Sequence, residues 1–241
     1  GSDVNLIHRL LKNHVAEETG FSAYTLFTDA AVKNMGLEEA SAAMTPMTEE
    51  YDHLGQVQIW VQDMRPVWID KRESTRVPFP EERIISQASV DVGMSPEQVW
   101  DYLATPEHRS VLIGSDRQDV IDRKNGRIGP GSTYQCYHGD RIIMNIILEW
   151  RPFERILTQD LAETPIGDLY VVAEYRLEPT ESGTRLTKSI SHASGPLLAR
   201  MIFNTVVRLT KKQSQQAIDH FRDHIEADLS ARGPAALDEE E

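Results

Sequence analysis

From residue 84 onward the chain alternates short apolar-patterned segments with turn residues, then ends in a stretch over 197–229 that contains neither proline nor glycine. This order constrains the fold more than any other feature. Strand-like segments fall at 84–92, 119–122, 132–138, 141–150, 156–161, 168–177 and 184–192, with apolar alternation clearest over 141–150. Asn125-Gly126, Gly129-Pro130-Gly131 and His138-Gly139-Asp140-Arg141 supply turn chemistry between them, so consecutive strands pair antiparallel. Ser95-Pro96-Glu97-Gln98 opens a helix, with serine as cap and proline in the first turn. Along 197–229, Leu198, Ile202, Leu209, Phe221 and Ile225 mark one apolar stripe of a single long helix. A sheet curved around that helix buries both apolar surfaces at once, with the short helices closing one end. The expected fold class is α+β: a curved antiparallel sheet wrapped around a long C-terminal helix, plus a small N-terminal α/β segment.

That segment occupies residues 1–70. A helix is expected over 4–18, a strand over 23–27, a helix over 28–36 and a strand over 56–61. Residues 71–82, charged and carrying Pro78 and Pro80, read as a linker to the main domain at 83–229. Residues 230–241 end in Asp238-Glu239-Glu240-Glu241 and read as a solvated, disordered tail.

The formal net charge of -13 disfavours nucleic acid as a partner, because phosphate binding draws on clustered Lys and Arg. No apolar run approaches the roughly 20 residues of a membrane-spanning helix, so no membrane insertion is expected. One cysteine, Cys136, excludes an internal disulfide. Without a secretory signal, the cytoplasm is the expected location. A homodimer stays open on sequence grounds.

Ser89-Val90-Asp91-Val92, Ser95 to Trp100, Thr105-Pro106-Glu107 and Gly129 to Tyr134, followed by the long helix, resemble the START-like superfamily, also called SRPBCC. That superfamily includes polyketide cyclase/dehydrase-like and lipid-transfer domains. The resemblance implies a helix-grip fold with an internal cavity for a small hydrophobic or aromatic molecule, and no cofactor. A second resemblance lies at the N-terminus. Gly1-Ser2-Asp3-Val4-Asn5-Leu6-Ile7-His8-Arg9 is similar to a late helix motif of class III nucleotide cyclases, which implies a transition-state role for Asn5 and Arg9. The metal-binding aspartates of that family lie upstream of the motif, so no cyclic nucleotide synthesis is expected from this chain alone.

Strict alternation over 141–150 places Ile142, Met144, Ile146, Leu148 and Trp150 on one face, read as the inner one, with Asn145 and Glu149 opposite. Val171, Ala173 and Tyr175 repeat the pattern, with Ala173 small enough to leave room for a ligand. Tyr134, Cys136 and His138 share a face, where Tyr134 and His138 are either polar anchors in an apolar space or, for His138, exposed at the adjoining turn. His192, just before the long helix, and Ile202 on it complete the expected ligand contacts. His220 and His224 have a zinc-compatible spacing without a third ligand nearby. The leading expectation is therefore a ligand-binding module of sensory or regulatory type. The alternatives are a polyketide cyclase/dehydrase-like enzyme using His138, Tyr134 or His192 as acid or base, and part of a class III cyclase-related protein.

Overall fold

A computed structural model of the chain describes residues 2–52 and 54–232. Two compact units divide between Arg76 and Val77. No helix among the described residues is long and apolar enough to cross a membrane.

The first unit contains α1 (Ser2–Leu10), α2 (Val15–Thr19), β1 (Tyr24–Thr28), α3 (Asp29–Met35), α4 (Glu38–Ser41), β2 (Thr45–Tyr51), β3 (Gly55–Asp63) and α5 (Arg65–Ser74). Its sheet runs β1-β3-β2, all antiparallel, over a core of Val15, Ile59 and Val61. The helix expected over 4–18 is broken by Asn13. Its amide donates to the Leu10 carbonyl at 2.6 Å, while its oxygen accepts from the Val15 N–H and the Tyr24 hydroxyl, the competition with helical bonding that short polar side chains offer. Residues 71–74, expected in the linker, instead finish α5.

The second unit contains β4 (Ile84–Val92), α6 (Pro96–Ala104), α7 (Pro106–Ile113), β5 (Arg117–Asp122), β6 (Thr133–His138), β7 (Arg141–Arg151), β8 (Arg155–Ala162), β9 (Leu169–Thr180), β10 (Gly183–Ser191), α8 (Leu197–Leu209) and α9 (Lys211–Arg232). Its seven strands lie in the order β4-β10-β9-β8-β7-β6-β5, every neighbour antiparallel. Ser95 caps α6 in a reciprocal capping box with Gln98. A Cβ on Gly183 would sit 2.1 Å from the Val92 carbonyl oxygen, so only glycine lets β10 begin so close to β4.

The sheet grips α9. Ile218, Phe221 and Ile225 are completely buried against Val90, Leu177 and Leu186 of the sheet and Trp100 and Leu103 of α6, which makes this an α+β helix-grip fold. The single terminal helix expected from sequence is instead two helices, broken at Thr210, whose hydroxyl bonds back to the Val206 carbonyl at 2.9 Å. Only the second half sits in the grip. α8 packs Ala199 and Phe203 against Leu169, Val171 and Ala193, and leaves Leu198, Ile202 and Leu209 more than half exposed. The tail expected over 230–241 begins inside α9, and residues 233–241 lie outside those described.

On the outer face of the sheet, buried charges form a closed network. Glu149 accepts from Arg151 Nε at 2.5 Å and from Arg155 Nη1. Arg155 Nε donates to Glu174 at 2.7 Å, and Glu174 also accepts from Arg176 at 2.9 Å. Arg155 Nη1 donates in addition to the Val77 carbonyl at 3.0 Å. Both glutamates are at least 95% buried, and each is held between two arginines.

Candidate functional site

The inner face of the second unit is read from strand register, because directly opposed residues share a face. One row crosses four strands as Tyr134, Asn145, Asp160 and Val171. The next is Ile147, Thr158, Ala173 and Ile190. The third is Trp150, Ile156, Tyr175, Lys188 and Ala88, which enters the main apolar core. A register shift between Ile147 and Glu149 lets Ile147 and Trp150, three residues apart, share that face.

This bulge corrects the sequence reading of β7. Met144 and Ile146 lie opposite Gln135 and Gln159 on the outer face, while Ile142 is half exposed. Leu148 sits at the irregularity itself, partly buried. Among the five residues expected inward, Trp150 reaches the core, edge-to-face on Trp100 at 4.9 Å. Asn145, expected outward, faces in. Ile202 is corrected too, being 55% exposed on α8.

Above the inner rows lies α7, and it supplies the residue that organises the site. Arg109 is 1% exposed, the largest of the fully buried side chains. Its Nε–H donates to Gln118 Oε1 of β5 at 2.9 Å, and Gln118 Nε2 reaches Cys136 Sγ at 3.2 Å. The guanidinium carbon lies 4.3 Å from the centre of the Tyr134 ring, within cation–π range. Neither Nη1 nor Nη2 has a hydrogen-bond partner, and neither has the Tyr134 hydroxyl. One turn further, the Leu112 carbonyl accepts from Lys188 Nζ of β10 at 2.9 Å. β6 and β10 are four strand spacings apart, about 19 Å in a flat sheet, so α7 touches both only because the sheet curls.

Burial and charge act together on the titratable groups here. Burial pushes the Tyr134 hydroxyl up, opposed by the Arg109 guanidinium. Burial also raises the Cys136 thiol, opposed by Gln118. Asp160, accepting from the Asn145 amide, is raised above the usual carboxylate range by burial, against the pull of Lys188 and Arg109. Burial lowers Lys188 to about 8 despite the opposing charge of Asp160. Tyr175 is fully enclosed, its hydroxyl driven well above its ordinary range by burial, with Lys188 Nζ 5.8 Å from its ring centre. The cluster is rich in titratable groups, and burial favours the protonated form of its phenols.

Among the other residues singled out from sequence, Val171 and Ala173 lie on the inner rows, buried. His138 ends β6 on the face of Tyr134 and Cys136, half buried beside the Gly139 turn. His192 follows β10, with its N–H on the Arg83 carbonyl at 2.7 Å. No hydrogen bond joins Tyr134, His138 and His192 among the described residues. His224 bonds to His108 at 2.9 Å, and the described residues hold no group of three or more His, Cys, Asp or Glu placed to bind a metal. In the first unit, Arg9 lies on α1, and the side chain of Asn5 is outside those described.

Arg109, Asp160 and Lys188 escaped the sequence reading, although each left a trace. Arg109 stands three residues before the fully buried Leu112, on one helical face. Lys188 interrupts Leu186 and Ile190 on an otherwise apolar strand face, as Asp160 does after Ile156 and Thr158.

No protein-family model matches the sequence, and no curated protein matches it. Among solved structures, protein MLL2253 of Mesorhizobium loti is 16% identical over 57% of this chain and 96% of its own, with a TM-score of 0.44. Hypothetical protein jhp0584 of Helicobacter pylori is 14% identical over 62% and 95%, with a TM-score of 0.48. DynU16, a putative protein of the dynemicin biosynthetic locus, is 14% identical over 59% of this chain and 47% of its own, with a TM-score of 0.43. The chain thus spans about half the length of DynU16. At these values the likenesses carry no functional assignment.

Proposed function

We propose that the second unit binds a small, largely apolar or aromatic organic molecule against the inner face of its sheet, as a sensory or regulatory module. One observation carries this reading. Nη1 and Nη2 of Arg109 and the hydroxyl of Tyr134 are buried without partners beside the apolar rows of Ile147, Ala173 and Ile156. Leaving such groups unmade costs roughly 1–3 kcal/mol each, more for a charge. Folded proteins bury very few of them, and each one kept calls for a partner or a functional role to explain it. A catalytic reading through Tyr134 as base has less support, since burial raises its pKa rather than lowering it. A link to class III cyclases would rest on Arg9 and Asn5 alone, and nothing in the second unit depends on it.

Native mass spectrometry of freshly purified protein, paired with titration of the neutral probe N-phenyl-1-naphthylamine, tests the proposal. A retained small molecule, or saturable probe binding that Ala173→Trp abolishes, is the expected result. Neither retained mass nor probe binding would remove the ligand-binding reading.

A further inference from the structure

Resting on that reading, we infer that the ligand carries a carboxylate, gripped by Nη1 and Nη2 of Arg109 with the Tyr134 hydroxyl as a third donor. A guanidinium has five N–H groups and no acceptor, and cannot shed its charge in a protein. Gln118 takes the one on Nε. The four on the two Nη atoms have no partner, in a side chain 1% exposed. Beside them is the free hydroxyl of Tyr134, itself fully buried. The guanidinium nitrogens can only donate, so the chemistry that completes them is an acceptor, while the phenol beside them can donate or accept.

Charge then narrows the class. The interior cluster holds two basic side chains, Arg109 and Lys188, against one carboxylate, Asp160. Even with Asp160 ionised and Lys188 charged, one positive charge is left over. A water molecule or a neutral amide would satisfy the donors and leave that charge uncompensated in a poorly solvated interior, where an unpaired ion is costly. A monoanion supplies both. A carboxylate matches the planar fork of a guanidinium with two parallel N–H···O bonds, whereas a phosphate monoester dianion would overshoot the surplus.

The chain itself provides the contrast. Where its arginines are buried on the outer face, glutamates are already in place for them at 2.5–2.7 Å. On the inner face the partner of Arg109 is an oxygen of Gln118, a neutral group that orients the side chain through Nε and leaves its fork open. The adjoining Ile147, Thr158 and Ala173 row suits an apolar or aromatic body attached to the acid.

Benzoate and benzamide are nearly isosteric and differ in charge, so NMR titration of both against the full chain isolates the acid. Benzoate should bind at least about tenfold more tightly, as expected for charge-assisted hydrogen bonds. Arg109→Met should weaken benzoate far more than benzamide and close most of the gap between them. Tyr134→Phe, which removes one oxygen and keeps the ring, should weaken benzoate about fivefold and keeps the test valid if the arginine variant misfolds. Equal binding of the two probes, with the neutral dye still bound, would overturn the carboxylate assignment while sparing the ligand-binding reading. Tighter binding of phenyl phosphate than of benzoate would overturn it in favour of a dianion. Failure of every probe, the neutral dye included, would remove both.

Discussion

The second unit buries arginine in two ways, on opposite faces of one sheet. On the outer face, Arg151 and Arg155 alternate with Glu149 and Glu174, so that two cations meet two anions with side chains at most 5% exposed. On the inner face, Arg109 has a neutral amide and an aromatic ring for company, and its terminal nitrogens are unmatched. Both sites bear a desolvation cost, yet only the outer one offsets it with opposite charge in direct contact. A charge balanced in place holds structure together, whereas a charge left unbalanced at an apolar surface is arranged for something else to balance. The same substitution made on each face therefore separates the two roles.

The largest effect is expected on the outer face. Arg155 bridges both glutamates and also donates to the Val77 carbonyl. Arg155→Met splits the network and leaves carboxylates buried with half their partners, at a cost of about 3–5 kcal/mol. Urea unfolding followed by tryptophan fluorescence measures this directly. A loss below about 1 kcal/mol would mean that the outer network is not structural, and the contrast between the faces would collapse.

A smaller, pH-dependent effect is expected from Lys188 on the inner face. Burial lowers its folded pKa to about 8 from an ordinary 10.5. Between those values the unfolded chain binds more protons than the native one, so this group makes stability rise with pH from about 8 to 10.5. Below about 8 the lysine is charged in both states and its penalty is constant. Lys188→Met should remove that rise, seen as a wild-type urea midpoint that climbs relative to the variant's from pH 8 to pH 10. Parallel pH profiles would show that Lys188 is not held in a desolvated interior, and the surplus of positive charge there would shrink.

How much of this could be read beforehand depended on whether local pattern or long-range register decided the outcome. β4 is legible to the residue, because Ala88, Val90 and Val92 sit on a regular period and Arg83 and Gly93 bound the strand. The cap at Ser95 was legible because its chemistry is local. β2 was not, since Thr45-Pro46-Met47-Thr48-Glu49-Glu50-Tyr51 has no apolar alternation. It survives as an edge strand, where proline is tolerated and one flank has no ladder to fill. The inner face of β7 was misread because a bulge near Leu148 inserts one residue, and no residue type there announces it. The site inherited that error. Alternation alone draws Met144 and Ile146 inward, while Arg109 is hard to read as buried because a charged residue on a short helix usually faces water. Its burial follows from a tertiary fact, the curl that brings β6 and β10 to the same helix.

The smallest stability effect is expected from Arg109→Met, and here smallness is the informative result. Methionine keeps an unbranched apolar stem of similar reach, so packing against the Tyr134 ring is largely retained. Lost are the Nε bond to Gln118 and the contact with the ring, together about 1–3 kcal/mol. Gained is release from burying a cation whose two terminal nitrogens have no partner, a penalty of similar size and opposite sign. The two nearly cancel, and the unfolding free energy should move by less than about 1 kcal/mol in either direction. Set beside the several kcal/mol expected for Arg155→Met, this would separate an arginine that the fold needs from one that the fold tolerates. A loss of 3 kcal/mol or more, roughly the cost of breaking a buried ion pair, would instead place Arg109 with the structural arginines.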